Sequence, residues 1–398
     1  MITFLILLLP MLLAVPVGTL LVQVLAAGRS FRTAGASTQE PSLGQLAMRM
    51  AVLVPAHDEA DLIASTVTEL RRELAPGDRL LVVADNCSDD TASLAAAAGA
   101  EAIERRDLAR RGKGYALDFG VRHLSMDPPD VVLVVDADCS VSRGSLLALA
   151  AAAGACGRPA QSAYMMHPPR DPSPKERIAA FAWRVKTWVR PMGMRALGLP
   201  CGLSGTGMAF PWAVVSRLPL ASSALAEDVE LGIAATRAGF PPFFAPWVEV
   251  SSAFPETREA SKTQRRRWEQ GSLAAIGRYC LPLLADTIRR GRPELLAMAL
   301  DLAVPPLALL SMLVAGGTLV AVSANYFAGT GSPLMYLAIV APGAALAVAV
   351  GIAWFRFGRE CLSIWDLAYA PWYAASKIGM YLSVVLSRRP EWIKTKRR

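Results

Sequence analysis

Two kinds of hydrophobic pattern divide the chain. Near both ends apolar residues run on for about 20 positions or more, the length a helix needs to cross a bilayer, whereas from residue 47 to about 270 they come in short runs separated by amphipathic stretches. Met50-Ala51-Val52-Leu53-Val54, Arg79-Leu80-Leu81-Val82-Val83 and Val131 to Val135 have the length and branched composition of strands. Ala60 to Leu74 and Thr91 to Ala98 place apolar residues at helical spacing between them. Such alternation predicts an α/β domain, a parallel sheet with helices on both faces. Ligands of these sheets bind at the carboxyl ends of strands, which is where Asp58-Glu59, Asp85-Asn86 and Asp136-Ala137-Asp138 fall.

The end segments predict a membrane topology. Residues 2 to 27 carry no charge and read as a spanning anchor rather than a cleavable signal, because a basic leading region is missing and the apolar core is too long. Arg29, Arg32 and Arg49 follow and place the downstream domain on the cytoplasmic side. Residues 296 to 323 and 333 to 355 read as two more spans around an uncharged turn at Asn325 to Ser332, with Asp301 and Pro305-Pro306 blurring the first boundary. Residues 363 to 387 are apolar and aromatic but interrupted by Asp366, Pro371 and Lys377. They read as an interfacial or re-entrant segment, with Trp365, Trp372, Tyr373 and Trp392 at headgroup depth, before a basic tail from Arg388 to Arg398. The organisation expected is a transmembrane helix over 1–28, a cytosolic catalytic domain over 47–275, an interfacial linker over 276–295, two spans over 296–355, and the interfacial segment and tail over 356–398. A multi-pass protein of the inner (plasma) membrane is expected.

Composition agrees. The 398 residues are 53% hydrophobic, too apolar for a wholly soluble chain, and the net charge of +8 lies at the ends of apolar segments and in Arg265 to Arg267. That placement suits membrane flanks and an anionic substrate, and no nucleic acid partner is expected. Six cysteines and three histidines (His57, His123, His167) are dispersed without a CxxC pair, so a reduced cytosolic domain without a zinc site is expected.

Four polar landmarks carry the candidate chemistry. Asp85 closes the second strand, where a carboxylate accepts hydrogen bonds from a nucleobase or ribose; the neighbouring Asp89 or Asp90 suits a helix cap. Asp136 and Asp138, one residue apart at a strand end, suit a hard divalent cation that neutralises a diphosphate, although an isolated Asp-x-Asp is more often a turn. Glu227-Asp228 precedes the helical pattern Val229 to Arg237, where a cap is the plain reading. Gln264-Arg265-Arg266-Arg267-Trp268 lies on a predicted helix, and a solvated helix end or an anionic-lipid contact would explain it without catalysis. Between them Gly112-Lys113-Gly114 offers an ammonium on a flexible backbone. The glycines of Pro200 to Gly207 imitate a dinucleotide fingerprint, but no strand leads into them.

With the landmarks in this order, the chain resembles the membrane-bound family 2 glycosyltransferases, including the cellulose-synthase-like group, over about residues 47 to 275 and the flanking helices. Val52-Leu53-Val54-Pro55-Ala56-His57-Asp58-Glu59-Ala60 matches the opening strand, Asp136 and Asp138 the DxD motif, Glu227-Asp228 the Thr-Glu-Asp motif with Ala226 in place of threonine, and Gln264, Arg267 and Trp268 the QxxRW motif. The resemblance implies a GT-A, Rossmann-like nucleotide-diphospho-sugar transferase domain. It implies an inverting transfer from a nucleotide sugar, a UDP-sugar by preference, to a lipid or polysaccharide acceptor, with Mg²⁺ or Mn²⁺ at Asp138 and Asp136. Asp228, with Glu227, would be catalytic; Asp85, Lys113, Asp136, Asp138 and Arg267 would bind the donor; Gln264 and Trp268 would bind the acceptor. An export or synthase partner is compatible with this. The alternatives are a nucleotidyltransferase on the same fold and a non-catalytic subunit of a polysaccharide synthesis or export complex.

Overall fold

The computed structural model describes residues 2–34, 48–255, 257–329 and 332–386. The basic tail with Trp392 lies outside these residues. In chain order the elements begin with α1 (Ile2–Ala34), β1 (Met50–Ala56), α2 (Ile63–Arg71), β2 (Arg79–Asp85), α3 (Thr91–Ala97), β3 (Glu101–Arg105), α4 (Lys113–Leu124), β4 (Val131–Val134), β5 (Ser140–Val141), α5 (Ser145–Cys156) and β6 (Ala160–His167). There follow α6 (Pro174–Arg184), which continues through a π-helical turn, Val185–Val189, into α7 (Arg190–Ala196), then β7 (Met208–Pro211), α8 (Trp212–Val215), α9 (Glu227–Arg237) and β8 (Phe243–Ala253). The remainder is helical: α10 (Arg258–Arg290), α11 (Pro293–Leu302), α12 (Leu307–Phe327), α13 (Pro333–Phe357), α14 (Ile364–Ala375) and α15 (Ile378–Leu386). These elements form two compact units.

The first unit takes residues 34–169 and 199–271 around an eight-stranded sheet of order β3-β2-β1-β4-β7-β6-β8-β5. β1 lies between β2 and β4 and is parallel to both, with Val54 beside Val82 and Leu53 beside Val134. Their carboxyl ends therefore share one edge. Met50 to Val54 are buried, as a strand covered on both faces requires. The sheet is mixed rather than parallel: β7 enters antiparallel between β4 and β6, and β5 runs antiparallel to β8. The all-parallel expectation fails because the strands beyond β4 were not legible as a regular alternation. On one face α4 packs so closely that a Cβ on Gly120 would lie 2.4 Å from a methyl of Leu53, and Leu53, Leu81, Val83, Leu117, Phe210 and Leu231 form a common core there.

The second unit takes α1, residues 170–198 and the chain from Ser272. Three helical segments among the described residues are long and apolar enough to cross a membrane: Leu7–Arg29, Leu307–Phe327 and Pro333–Phe357. The middle one begins at Leu307, not at residue 296, because Pro305-Pro306 ends α11 and restarts the helix as α12. Asp301, on α11, meets a buried counter-group: its Oδ1 accepts from Arg190 Nη2 at 2.8 Å and from Gln23 Nε2 at 2.7 Å, and Gln23 Oε1 accepts from Arg190 at 3.1 Å. The described part of the segment expected over residues 363 to 387 forms two short helices, α14 and α15, rather than one span. Asp366 there is held by a bidentate pair with Arg177 at 2.7 and 2.8 Å and closes a capping box with Ser363. α10 runs unbroken through residue 275, where the sequence suggested a domain limit.

Candidate active site

The three parallel strands deliver three acidic ends to one edge. Asp85 is the last residue of β2, and its register partner on β3 is Arg105. Arg105 Nη1 donates to Asp85 Oδ1 at 2.6 Å, and both residues are buried. The same guanidinium donates to the Arg110 carbonyl at 2.9 Å, pairs with Asp107 at 3.3 Å and stacks 5.3 Å from the Tyr115 ring. Arg105 thus turns the Asp85 carboxylate and neutralises it. It lies in a short edge strand of mixed polarity, and pattern reading passed over it.

Asp136-Ala137-Asp138 follows β4 after Val135. Thr66 donates to the Ala137 carbonyl at 2.7 Å and the Asp136 amide donates to Thr206 Oγ1 at 3.0 Å, so the turn is held from both sides. Carboxylate oxygens of Asp136 and Asp138 lie within 4.8 Å of each other and of the Cys139 sulfur. Two hard oxygen donors from consecutive turns of one loop fit a divalent cation; buried Cys139, whose thiol burial pushes well above its usual pKa, suits a packing role.

Lys113 joins this corner to the acidic pair. It opens α4, and its ammonium donates to Asp136 Oδ1 and to the Gly205 carbonyl (2.7 Å), with Glu227 Oε1 at 3.9 Å. The flanking glycines have a steric reason. A Cβ on Gly114 would lie 2.6 Å from the Leu220 carbonyl oxygen and 2.8 Å from that of Ser222, while Gly112 has φ +135° and abuts Ser222 and Ser223. The Gly-Lys-Gly backbone therefore lies flat against the loop that leads into α9, which brings the ammonium beside Glu227 and Asp228. Burial opposes the charged lysine, but the charges of Asp136, Glu227 and Asp228 outweigh it, and its pKa is raised.

Glu227 and Asp228 begin α9. The Val229 amide donates to Asp228 Oδ1 at 2.8 Å, and Oδ2 points towards Gly205, where a Cβ would sit 3.6 Å from it and equally far from the Lys113 nitrogen. Burial, then the charge of Asp228, lift the Glu227 carboxyl from 4.5 to about 7, against the pull of Lys113. The loop Pro200–Gly207, set aside as a false fingerprint, takes part for a different reason. Gln161 splints it by accepting from the Ser204 amide at 2.8 Å and donating to the Thr206 carbonyl at 3.0 Å, so that Gly205 and Thr206 face Lys113 and Asp136.

Gln264, Arg267, Trp268 and Gly271 recur on α10 at i, i+3, i+4 and i+7 and share one face. At the lower end of that face a Cβ on Gly271 would lie 3.3 Å from Leu225, two residues before Glu227. Gln264 is 3% exposed, and its Oε1 has no hydrogen-bond partner among the described residues. A buried acceptor left unmatched calls for a donor, from a water or a bound molecule.

Comparison with known proteins identifies the family and the fold. Residues 48–271 match the model of the family described as "Glycosyltransferase like family 2". A curated relative, glucosyl-3-phosphoglycerate synthase of Mycolicibacterium paratuberculosis (strain ATCC BAA-968 / K-10), is 34% identical over 119 residues, which is 28% of this chain and 35% of that protein. The chain thus spans about a third of the length of that relative. Among solved structures, the mannosyltransferase PcManGT from Pyrobaculum calidifontis, in complex with GDP-Man and Mn²⁺, superposes with a TM-score of 0.55 at 18% identity, over 96% of this chain and 100% of that one. Glucosyl-3-phosphoglycerate synthase from Mycobacterium tuberculosis, in complex with Mn²⁺, UDP and phosphoglyceric acid, gives 0.34 at 23% identity over 52% and 69%. The family domain covers more than half of the 398 residues and holds Asp85, Lys113, Asp136, Asp138, Glu227, Asp228 and the Gln264–Trp268 face, so the chain belongs to glycosyltransferase family 2 and carries its GT-A fold.

Proposed function

We propose that the chain is a membrane-anchored, metal-dependent, inverting glycosyltransferase that moves a sugar from a nucleoside-diphosphate sugar, a UDP-sugar by family resemblance, to a hydroxyl of a lipid or polysaccharide acceptor. The catalytic domain faces the cytoplasm of a multi-pass inner-membrane protein, on the strength of the three apolar helices and the basic residues that flank them. The observation that carries the reading is Lys113: one ammonium gathers the metal-type carboxylate at the end of β4 and the acidic pair at the start of α9.

In this reading Asp138 and Asp136 would hold a Mg²⁺ or Mn²⁺ ion; Mn²⁺ accompanies GDP-Man in the mannosyltransferase structure. When bound, it would supply positive charge to the leaving diphosphate. Asp85, oriented by Arg105, receives the nucleoside. Asp228 Oδ2 takes the proton of the acceptor hydroxyl, whose oxygen forms the new bond to the anomeric carbon from the face opposite the departing nucleoside diphosphate. Burial, then the neighbouring charge of Asp228, favour the neutral form of Glu227, and Asp228 has to be ionised to act as the base. Lys113 fixes Asp136 and Glu227 in register, and Arg267 supports the leaving diphosphate. Gln264 Oε1 accepts from an acceptor hydroxyl, and Trp268 offers a ring face to a pyranose.

Asp228→Asn tests the assignment. Donor binding by calorimetry should persist while turnover falls roughly 10²-fold or more, the scale of a positioned acid or base. Turnover equal to that of the unaltered protein would remove Asp228 from this role.

A further inference from the structure

The carboxyl edge of the sheet carries a second group of ligating atoms outside the aspartate pair. His57, Asp58 and Cys87 each bring one donor atom to within 4.8 Å of the others, at the junction of the β1 and β2 ends. Along the chain these residues look unrelated, which is why the scatter of cysteines and histidines argued against zinc. In space the β1–β2 pairing assembles them.

Three features make this a built arrangement. Consecutive residues of an extended chain point to opposite sides, yet Asp58 has φ +52°, which breaks the alternation and turns His57 and Asp58 towards each other. Asp58 and Asn86, the latter at φ +54°, are the positive-φ residues other than glycine among the described residues, and both belong to this corner. His57 and Asp58 are also held through the atom that each does not present, and Cys87 through its sulfur. His57 Nδ1 bonds the Asp85 carbonyl at 2.6 Å, so that Nδ1 carries the proton and Nε2 the lone pair, and Nε2 lies 3.7 Å from Asp58 Oδ2. Asp58 Oδ1 accepts from the Ser88 amide at 2.5 Å and from its hydroxyl at 3.1 Å, leaving Oδ2 on the histidine side. The Asp58 amide and the Ala56 carbonyl lie 3.3 and 3.6 Å from Cys87 Sγ. Outer partners of this kind fix the tautomer and direction of metal ligands. A tetrahedral ion with bonds of about 2.0 to 2.3 Å bridges donors roughly 3.3 to 3.7 Å apart, and the His57–Asp58 pair stands at 3.7 Å.

We propose that His57 Nε2, Asp58 Oδ2 and Cys87 Sγ form a binding site for Zn²⁺, separate from the hard oxygen site of Asp136 and Asp138, and that its occupation opposes binding of the donor nucleoside. Imidazole and thiolate select a borderline ion over Mg²⁺. On binding, the Cys87 thiol loses its proton to solvent and its sulfur forms the Zn–S bond; no electron changes hands. The fourth position remains for water. The competition rests on the reading that Asp85, whose carbonyl holds His57, receives the donor; the metal site itself does not.

The test uses purified full-length protein in metal-free buffer titrated with Co²⁺, which reports a thiolate ligand by near-ultraviolet charge-transfer absorption. One equivalent should produce the band and one equivalent of Zn²⁺ should abolish it. Cys87→Ser should lack the band, His57→Gln should bind at least about 10-fold more weakly, and Asp138→Asn should keep it. No band in the unaltered protein, or a band that survives Cys87→Ser and disappears in Cys139→Ser, would overturn the site. In the second arm, one equivalent of Zn²⁺ should weaken donor binding in the unaltered protein and leave Cys87→Ser unaffected. A cobalt band with donor affinity indifferent to Zn²⁺ would overturn the competition alone. A cobalt band in a protein that binds no nucleotide sugar would instead refute the proposed function.

Discussion

Removing the guanidinium behind Asp85 is the sharpest structural perturbation of the nucleoside corner. Arg105 and Asp85 are 9% and 7% exposed and meet at 2.6 Å, so Arg105→Met leaves a carboxylate buried without its cation. Breaking a buried pair from one side costs about 3 to 5 kcal/mol, mostly as the penalty of the stranded charge. Arg105 also supports Asp107 and the Arg110 carbonyl, so the upper half of that range is expected. Asp85→Asn should cost less, because Arg105 keeps those two partners. The double variant should then be more stable than the sum of the single losses, with a coupling of about 2 to 3 kcal/mol. Urea unfolding of the full-length protein followed by intrinsic fluorescence measures all four corners of the cycle, and calorimetry on each variant should show donor affinity falling with Arg105→Met. A single-variant loss below about 0.5 kcal/mol, the scatter of ordinary surface substitutions, together with unchanged donor affinity, would refute the role given to this pair.

Three further expectations follow from the acidic corner. Glu227 binds its proton more tightly in the fold, so its stabilising contribution is complete below pH 4.5 and is lost as pH rises through about 7; Glu227→Gln should flatten thermal stability across that window by at most about 3 kcal/mol, and equal slopes in both proteins would contradict the assignment. Gly114→Ala drives a Cβ against the backbone oxygens of Leu220 and Ser222, which should cost about 1 to 3 kcal/mol and lower turnover through displacement of Lys113; a variant of full stability and activity would show that this close approach is dispensable. Asp138→Ala should abolish metal-dependent donor binding in calorimetry, whereas unchanged binding with Mg²⁺ or Mn²⁺ present would reject the metal assignment.

What was legible in the sequence follows from where burial is uniform. β1, β2 and β4 are covered on both faces, so Met50–Val54, Arg79–Val83 and Val131–Val135 read as continuous apolar runs ending in acids, and the structure places strands there. Glu101–Arg105 lies at the sheet edge with a mixed, partly exposed pattern and gave no such signal, which hid Arg105. Met208–Pro211 is four residues long, and its antiparallel pairing with β4 depends on contacts across some 80 positions of chain. Asp301 blurred the second apolar segment because its partners, Arg190 and Gln23, lie far away in sequence. Single side chains at strand ends and helix starts were readable, and the groups that orient them were not. Lys113 shows the difference: its charge was visible, but its junction between Asp136 and Glu227 depends on two glycines lying against residues 220–223.

The central claim is that the carboxylates around Lys113 serve sugar transfer. Its most direct test incubates the purified protein in membranes with a panel of nucleotide sugars and Mg²⁺ or Mn²⁺, identifying both the released nucleotide and the sugar-bearing product by mass spectrometry. Release of nucleoside diphosphate matched by transferred sugar, lost in Asp228→Asn and Asp138→Ala, is the predicted result. Release of sugar 1-phosphate in place of nucleoside diphosphate would point to nucleotidyl transfer, and the absence of any transfer across the panel would point to a non-catalytic subunit; either would contradict the account.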